Sequence, residues 1–259
     1  MKAEQEAKIE ITPVYASYLI KFVIRICIFA AVLVMYLKHR EWLGEFMVQP
    51  ISFGITPIHI LWAMFMLLMI RHLFPGRKVS MAILKQKEET YEEVSGYSEL
   101  ELLRFVRGMN IRAWVVMLVW LSFNAVFGGL YLLGVIGDSD LLMLTVFYFL
   151  CDYICIIVFC PFQTFIMKNK CCVNCRIYDW GHIMMFTPML FIKNFFSWSL
   201  FFTSIVVTLR WEMVYAQHSE RFWEGSNRRL QCAHCQDKTC QIKKKVNAAL
   251  RLSSGERNH

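Results

Sequence analysis

The chain has 259 residues, 57% of them apolar and 15% aromatic, with a formal net charge of +8. Soluble domains sit nearer about 45–50% apolar, and the mean hydropathy here is positive, +0.42. The excess lies in long blocks parted by short charged stretches, the pattern of a polytopic membrane protein, and it leaves no room for a large extramembrane domain. With no nucleic-acid-binding motif in the chain, the positive charge reads as cytoplasmic charge beside a lipid bilayer, in contact with anionic lipids, and nucleic acid is not an expected partner.

Residues 1–13 are short and of mixed charge. The first apolar block, 14–37, is interrupted by Lys21 and Arg25, and no small-residue cleavage site follows, so it reads as a span and not as a secretory signal. Lys21 and Arg25 are four apart and share one helix face. The second span is expected over 51–70, after Pro50 and before Arg71 and His72. His59, near its start, reads as interfacial. The longest polar stretch, 71–112, contains a turn at Pro75-Gly76. Ser98 and Glu101 have the spacing of a capping box. The helix they start carries Leu100, Leu103, Val106 and Met109 on one side, which predicts an interfacial amphipathic helix near 98–112. A partner-binding helix is the alternative.

The third span, 113–136, has no charge, and Gly128, Gly129 and Gly134 would let a neighbouring helix approach closely. An acidic turn at Asp138 and Asp140 leads into the fourth span, 141–167, whose single charge is Asp152. A buried carboxylate in lipid needs a partner or a proton. Arg25 and Lys193 are the candidate partners. The functional alternative is an ion or proton relay, or a polar substrate pocket. The loop 168–182 is polar. The fifth block, 183–209, is broken by Pro188 and Lys193. Two arms of about 16 residues would each reach about 24 Å, short of a membrane core of about 30 Å. Lys193-Asn194 is where a re-entrant turn would fall. Arg210-Trp211-Glu212 reads as an interfacial anchor.

The fold class is therefore all-α: a helix bundle of about five hydrophobic helices over 1–215, the fifth possible as a re-entrant hairpin, followed by a basic, cysteine-containing tail over 216–259. The stretch 71–112 holds eight Lys/Arg and the Asp138–Asp140 turn none. The positive-inside rule then puts the N-terminus, this stretch and the 168–182 loop in the cytoplasm, with the plasma membrane the expected location. The nine Lys/Arg from Arg221 onward favour the same side for the tail, which a single fifth crossing would forbid.

Six of the ten cysteines fall in two polar segments. Cys172/Cys175 and Cys232/Cys235 are both Cys-x-x-Cys pairs, the spacing that aims two sulfurs at one ion, and two such pairs complete a tetrahedral site. Cys171, Cys240 and His234 are possible additional ligands. Zinc or an iron–sulfur cluster is the expected cofactor, with the site joining loop to tail. Thiol–disulfide chemistry without metal, and scattered thiols, remain open. Cys151 and Cys155 read as packing residues within the fourth span. A transporter or channel-like bundle using Asp152, Lys193 and Arg25 is the alternative function. A protein partner or homo-oligomer is compatible with either, and no catalytic constellation of a hydrolase or transferase is present.

Overall fold

A computed structural model describes residues 12–38, 40, 55–76, 79–169, 171–243 and 246. Among these the chain is helical: α1 Pro13–Lys38, α2 Pro57–Leu73, α3 Met81–Leu84, α4 Glu99–Leu132, α5 Asp138–Ile157, α6 Gly181–Phe186 and α7 Phe195–Gln217, with short 3₁₀ turns between them. The described residues include an isolated β-bridge, Glu93 to Asn227. Three helices, α1, α4 and α5, are long and apolar enough to cross a membrane. With α2 and α7 they make the five hydrophobic helices of the bundle.

Local chemistry sets where each helix starts and stops. Pro13 opens α1, where its missing N–H costs nothing, and the Thr12 hydroxyl accepts from the Tyr15 N–H at 3.1 Å. Thr56 caps α2 in a box closed by the His59 ring, so His59 is a capping residue. The first four positions of the expected second span, 51–54, lie outside the described residues. Ser98 caps α4 as its spacing predicts, accepting from the Glu101 N–H. The amphipathic stretch and the third span then form one unbroken helix of 34 residues. Helix α5 ends at Ile157, short of the 167 expected. Pro161 explains this, because its ring collides with the carbonyl of a helical residue four before it. The chain continues as a wide turn over Phe162–Met167.

The fifth apolar block doubles back at Lys193-Asn194. A short arm, α6 and the 3₁₀ turn Thr187–Leu190, leads into a turn, and Asn194 caps α7 by accepting from the Ser197 N–H at 2.7 Å. Helix α7 packs against both this arm and α2. Its end therefore returns to the level of the arm's start: the Trp180 indole donates to Glu212 and the Trp211 indole to the Arg176 carbonyl, each at 2.7 Å. Arg176 and Glu212 close the base of the hairpin as a two-pronged ion pair.

Helix α1 lies along α5, with Tyr18 on Tyr153, Phe29 on Phe147, and Tyr36 and Arg40 on Asp140. These pairings run in opposite chain directions, so the two helices are antiparallel. The bundle core holds Met69, Leu141, Phe149, Phe186, Leu200 and Val207. Gly128 of α4 faces Phe191 so closely that a Cβ would fall inside the ring, the close approach expected of a small residue. Gly129 meets no such neighbour.

At one end of the bundle, segments 79–98, 168–180 and 218–243 form a cap. Val94 donates to Ser226 and Arg228 to Glu92 through the backbone, at 2.9 and 2.8 Å. The Asp237 carboxylate accepts from the Met81 N–H at 2.9 Å. The Thr12 hydroxyl donates to the Asp237 carbonyl at 3.0 Å. The described tail is thus packed onto both the loops and the start of α1. Of the basic run, Lys243 belongs to the cap, while Lys244 and Lys245 and everything from 247 onward lie outside the described residues.

Candidate functional site

The cap brings the two cysteine segments together. The wide turn after Pro161 ends at Lys168, whose left-handed backbone (φ 53°) redirects the chain into the loop. There Cys171, Cys172 and Cys175 are all buried. The Cys175 N–H donates to the Cys172 carbonyl at 3.0 Å, the tight turn that Cys-x-x-Cys spacing favours. From the tail come Cys240 and Lys243, also buried.

The pairings differ from the four-cysteine arrangement read from spacing. Cys171 and Cys240 are buried in one cluster with Met81, Val173 and Leu230. The Cys172 sulfur lies 2.8 Å from the Lys243 ammonium and 3.1 Å from Gln163 Oε1. That ammonium donates also to Gln163 Oε1 at 2.6 Å and to the Cys155 carbonyl, which uses its three N–H groups. Cys155 and Cys160 are neighbours across the end of α5, and the Cys160 sulfur accepts from the Gln163 N–H at 3.4 Å. Cys175 packs among Met109, Ile177 and Trp180. Cys235 packs against the cluster that holds Cys171 and Cys240, while Cys232 is exposed. The exposed His234 accepts from Arg228 at 3.2 Å. No disulfide joins any of the ten cysteines. Among the described residues, no group of three or more His, Cys, Asp or Glu side chains is arranged to hold a metal ion.

Burial dominates the electrostatics here. It pushes the Cys172 thiol up, against the pull of Lys243, and pushes Cys175 up to about 12. The neighbouring Cys240 thiol, then burial, raises Cys171. A second lysine, Lys85, is 1% exposed. Its ammonium donates to the Val173 and Cys175 carbonyls at 2.6 and 3.0 Å and faces the Trp211 and Phe222 rings. Burial lowers it to about 7, partly offset by Cys175 and Cys171. Lys85 thus holds the cysteine loop by its backbone.

A second polar cluster lies within the bundle. Of the two candidate partners of Asp152, Arg25 is the one it meets, at 2.8 Å. Lys193 is exposed at the hairpin turn. Arg25 also donates to the Phe149 carbonyl and is flanked by the Phe149 and Tyr153 rings. Beside this pair stand His182 and His72, and His72 meets Asp179 at 2.8 Å.

Reading along the chain did not single out Gln163, Lys85, His72, Asp179 or His182. The only signals were an uncharged amide just before a cysteine-rich loop and two histidines at the ends of apolar blocks. Cys155, a packing residue by its place in the fourth span, is joined to the cap through its carbonyl, which accepts from Lys243.

Fold and site together define an all-helical membrane bundle closed at one end by a cap in which buried thiols meet a buried lysine. No protein-family model matches the chain, and no curated protein or solved structure is significantly similar to it.

Proposed function

We propose that this chain is a membrane protein whose cap is a thiol redox centre, with Cys171 and Cys240 as the exchanging pair. The observation that carries the reading is their burial in one cluster, where the loop meets the tail. Two thiols in contact on separate segments form a disulfide with little backbone movement. The exposed Cys232 and the half-buried Cys235 supply a surface dithiol beside that pair. A disulfide-bearing partner is the oxidant. Cys171 and Cys240 give up two electrons and two protons and form one S–S bond, and the partner disulfide breaks into two thiols. The lysine and arginine count favours a cytoplasmic cap, with the N-terminus on the same side of the plasma membrane. In that compartment thiols rest reduced, and disulfides are transient and catalytic or sensing. The basic tail suits an anionic leaflet.

The test is to treat the purified full chain with oxidised glutathione, block remaining thiols, and map disulfides by mass spectrometry. The expected product is a Cys171–Cys240 crosslink, absent in Cys240→Ser. Metal content measured on the same preparation decides between this reading and the cofactor expected from spacing. About one zinc per chain, or an iron–sulfur absorption band, lost on replacing Cys172, Cys175, Cys232 or Cys235, would overturn the redox reading in favour of a metal knot.

A further inference from the structure

The polar cluster inside the bundle is larger than an ion pair needs to be. Asp152 of α5 is neutralised by Arg25 of α1, with side chains 30% and 14% exposed. Yet the backbone of Gly181 lies against the other side of the same carboxylate, so that a Cβ there would stand 2.9 Å from Oδ1. The next residue, His182 of α6, meets His72 of α2 edge to face at 4.6 Å between ring centres. His72 Nδ1 meets Asp179 Oδ1 at 2.8 Å, and Asp179 is 3% exposed. From there Gln86 reaches Asp179, Arg221 donates to the Gln86 carbonyl, and Arg221 meets Glu88 at the cap surface. Carboxylate, imidazole and imidazole follow one another from the cap into the bundle, and Asp152 lies against the backbone of Gly181, next in the chain to the second imidazole. Buried His182 Nδ1 has no hydrogen-bond partner among the described groups. An idle buried polar atom costs about 1–3 kcal/mol, and this one is free to take or give a proton.

We propose that Asp179, His72, His182 and Asp152 form a proton-transfer chain between the cap and the interior of the bundle. Imidazole is suited to this because it takes a proton on one nitrogen and releases one from the other. His72 passes a proton to His182 and is reprotonated through Asp179. His182, turning its ring, passes its proton to Asp152. The carboxylate becomes neutral and releases Arg25. The Phe149 carbonyl and the Phe149 and Tyr153 rings, 3.9 and 3.8 Å from the guanidinium carbon, hold the cation in the meantime. The charged groups at the two histidines are Arg25 from α1 and Asp179 from the loop, with Asp152 of α5 against the neighbouring Gly181. Ionisable chains of this kind in membrane bundles serve as relays. The proposal is independent of the thiol reading.

The test follows the Asp152 carboxyl band by time-resolved infrared spectroscopy on the full chain in lipid nanodiscs, after photorelease of a caged proton. A protonated-carboxyl band should rise after the flash and be absent in Asp152→Asn. His182→Phe and His72→Gln should each slow the rise about ten-fold or more while leaving the final band amplitude in place. Cys240→Ser should leave the rate unchanged, which separates this chain from the thiol centre. Two histidine variants guard against one failing to fold. No Asp152-dependent band, or the same rate in a folded histidine variant, would overturn the proposal.

Discussion

At the scale of single residues, the two buried lysines show what a one-dimensional reading misses. Lys85 and Lys243 lie in basic stretches that look solvated, but each is 1% exposed. Lys85 gives a directional test. Its ammonium is lowered from 10.5 to about 7 by burial. Between those values the unfolded chain carries a proton that the folded chain lacks, so stability should rise with pH from about 7 to about 10.5. Lys85→Met should flatten that rise in reversible denaturation curves recorded across the range. Asp152 gives a second test. Asp152→Asn strands Arg25, and breaking a buried pair costs about 3–5 kcal/mol, less here because Asp152 keeps some exposure. Adding Arg25→Met should recover most of the loss, whereas adding Lys193→Met should recover none. Sequence named both possible partners of Asp152, since a lone carboxylate in an apolar block demands one. It could not choose, because the choice depends on which helix lies alongside.

At the scale of elements, periodicity and cap chemistry were legible because they are local. Ser98 and the break at Lys193-Asn194 follow from residues within a few positions, whereas the glycines offered an approach that distant Phe191 takes up at Gly128 alone. The end of α5 could also have been read from Pro161, whose effect reaches four residues back. What spacing could not supply was the cysteine partners. A Cys-x-x-Cys pair is local, but the Cys171–Cys240 contact spans 69 positions and depends on how three segments fold over one another. The hairpin is the element that makes this contact possible. Asn194→Ala removes the cap of α7 and should cost about 1 kcal/mol. A bulky residue at Gly128 must displace Phe191, which sits on the short arm's side of the turn, at about 1–3 kcal/mol. Both losses should appear as lower midpoints in thermal unfolding of the detergent-solubilised chain.

At the scale of the whole molecule, the hairpin decides sidedness. Were the fifth block a single crossing, the tail would leave the bundle opposite the 168–182 loop. Its doubling back instead returns α7 to Arg176 and Trp180, and Lys85 ties the 79–98 segment to the loop at Val173 and Cys175. Three segments far apart in sequence therefore share one end of the bundle. Each carries lysine or arginine, and the opposite end carries the Asp138–Asp140 turn. Because the positive-inside rule acts on charge near span ends, the segments reinforce one another and no single loop has to fix the orientation. Reporter insertions at Gln86, Asn174 and Gln236 should then all give the cytoplasmic signal, and an insertion at Gly137 the opposite one. A cytoplasmic signal at Gln86 and Asn174 with an external one at Gln236 would mean the fifth block crosses fully. The Cys171–Cys240 contact could not then form, and the redox reading would fall with it. The proton chain through His72 and Asp179 would survive, because it uses only residues before the hairpin turn, together with Arg221 as a distal contact.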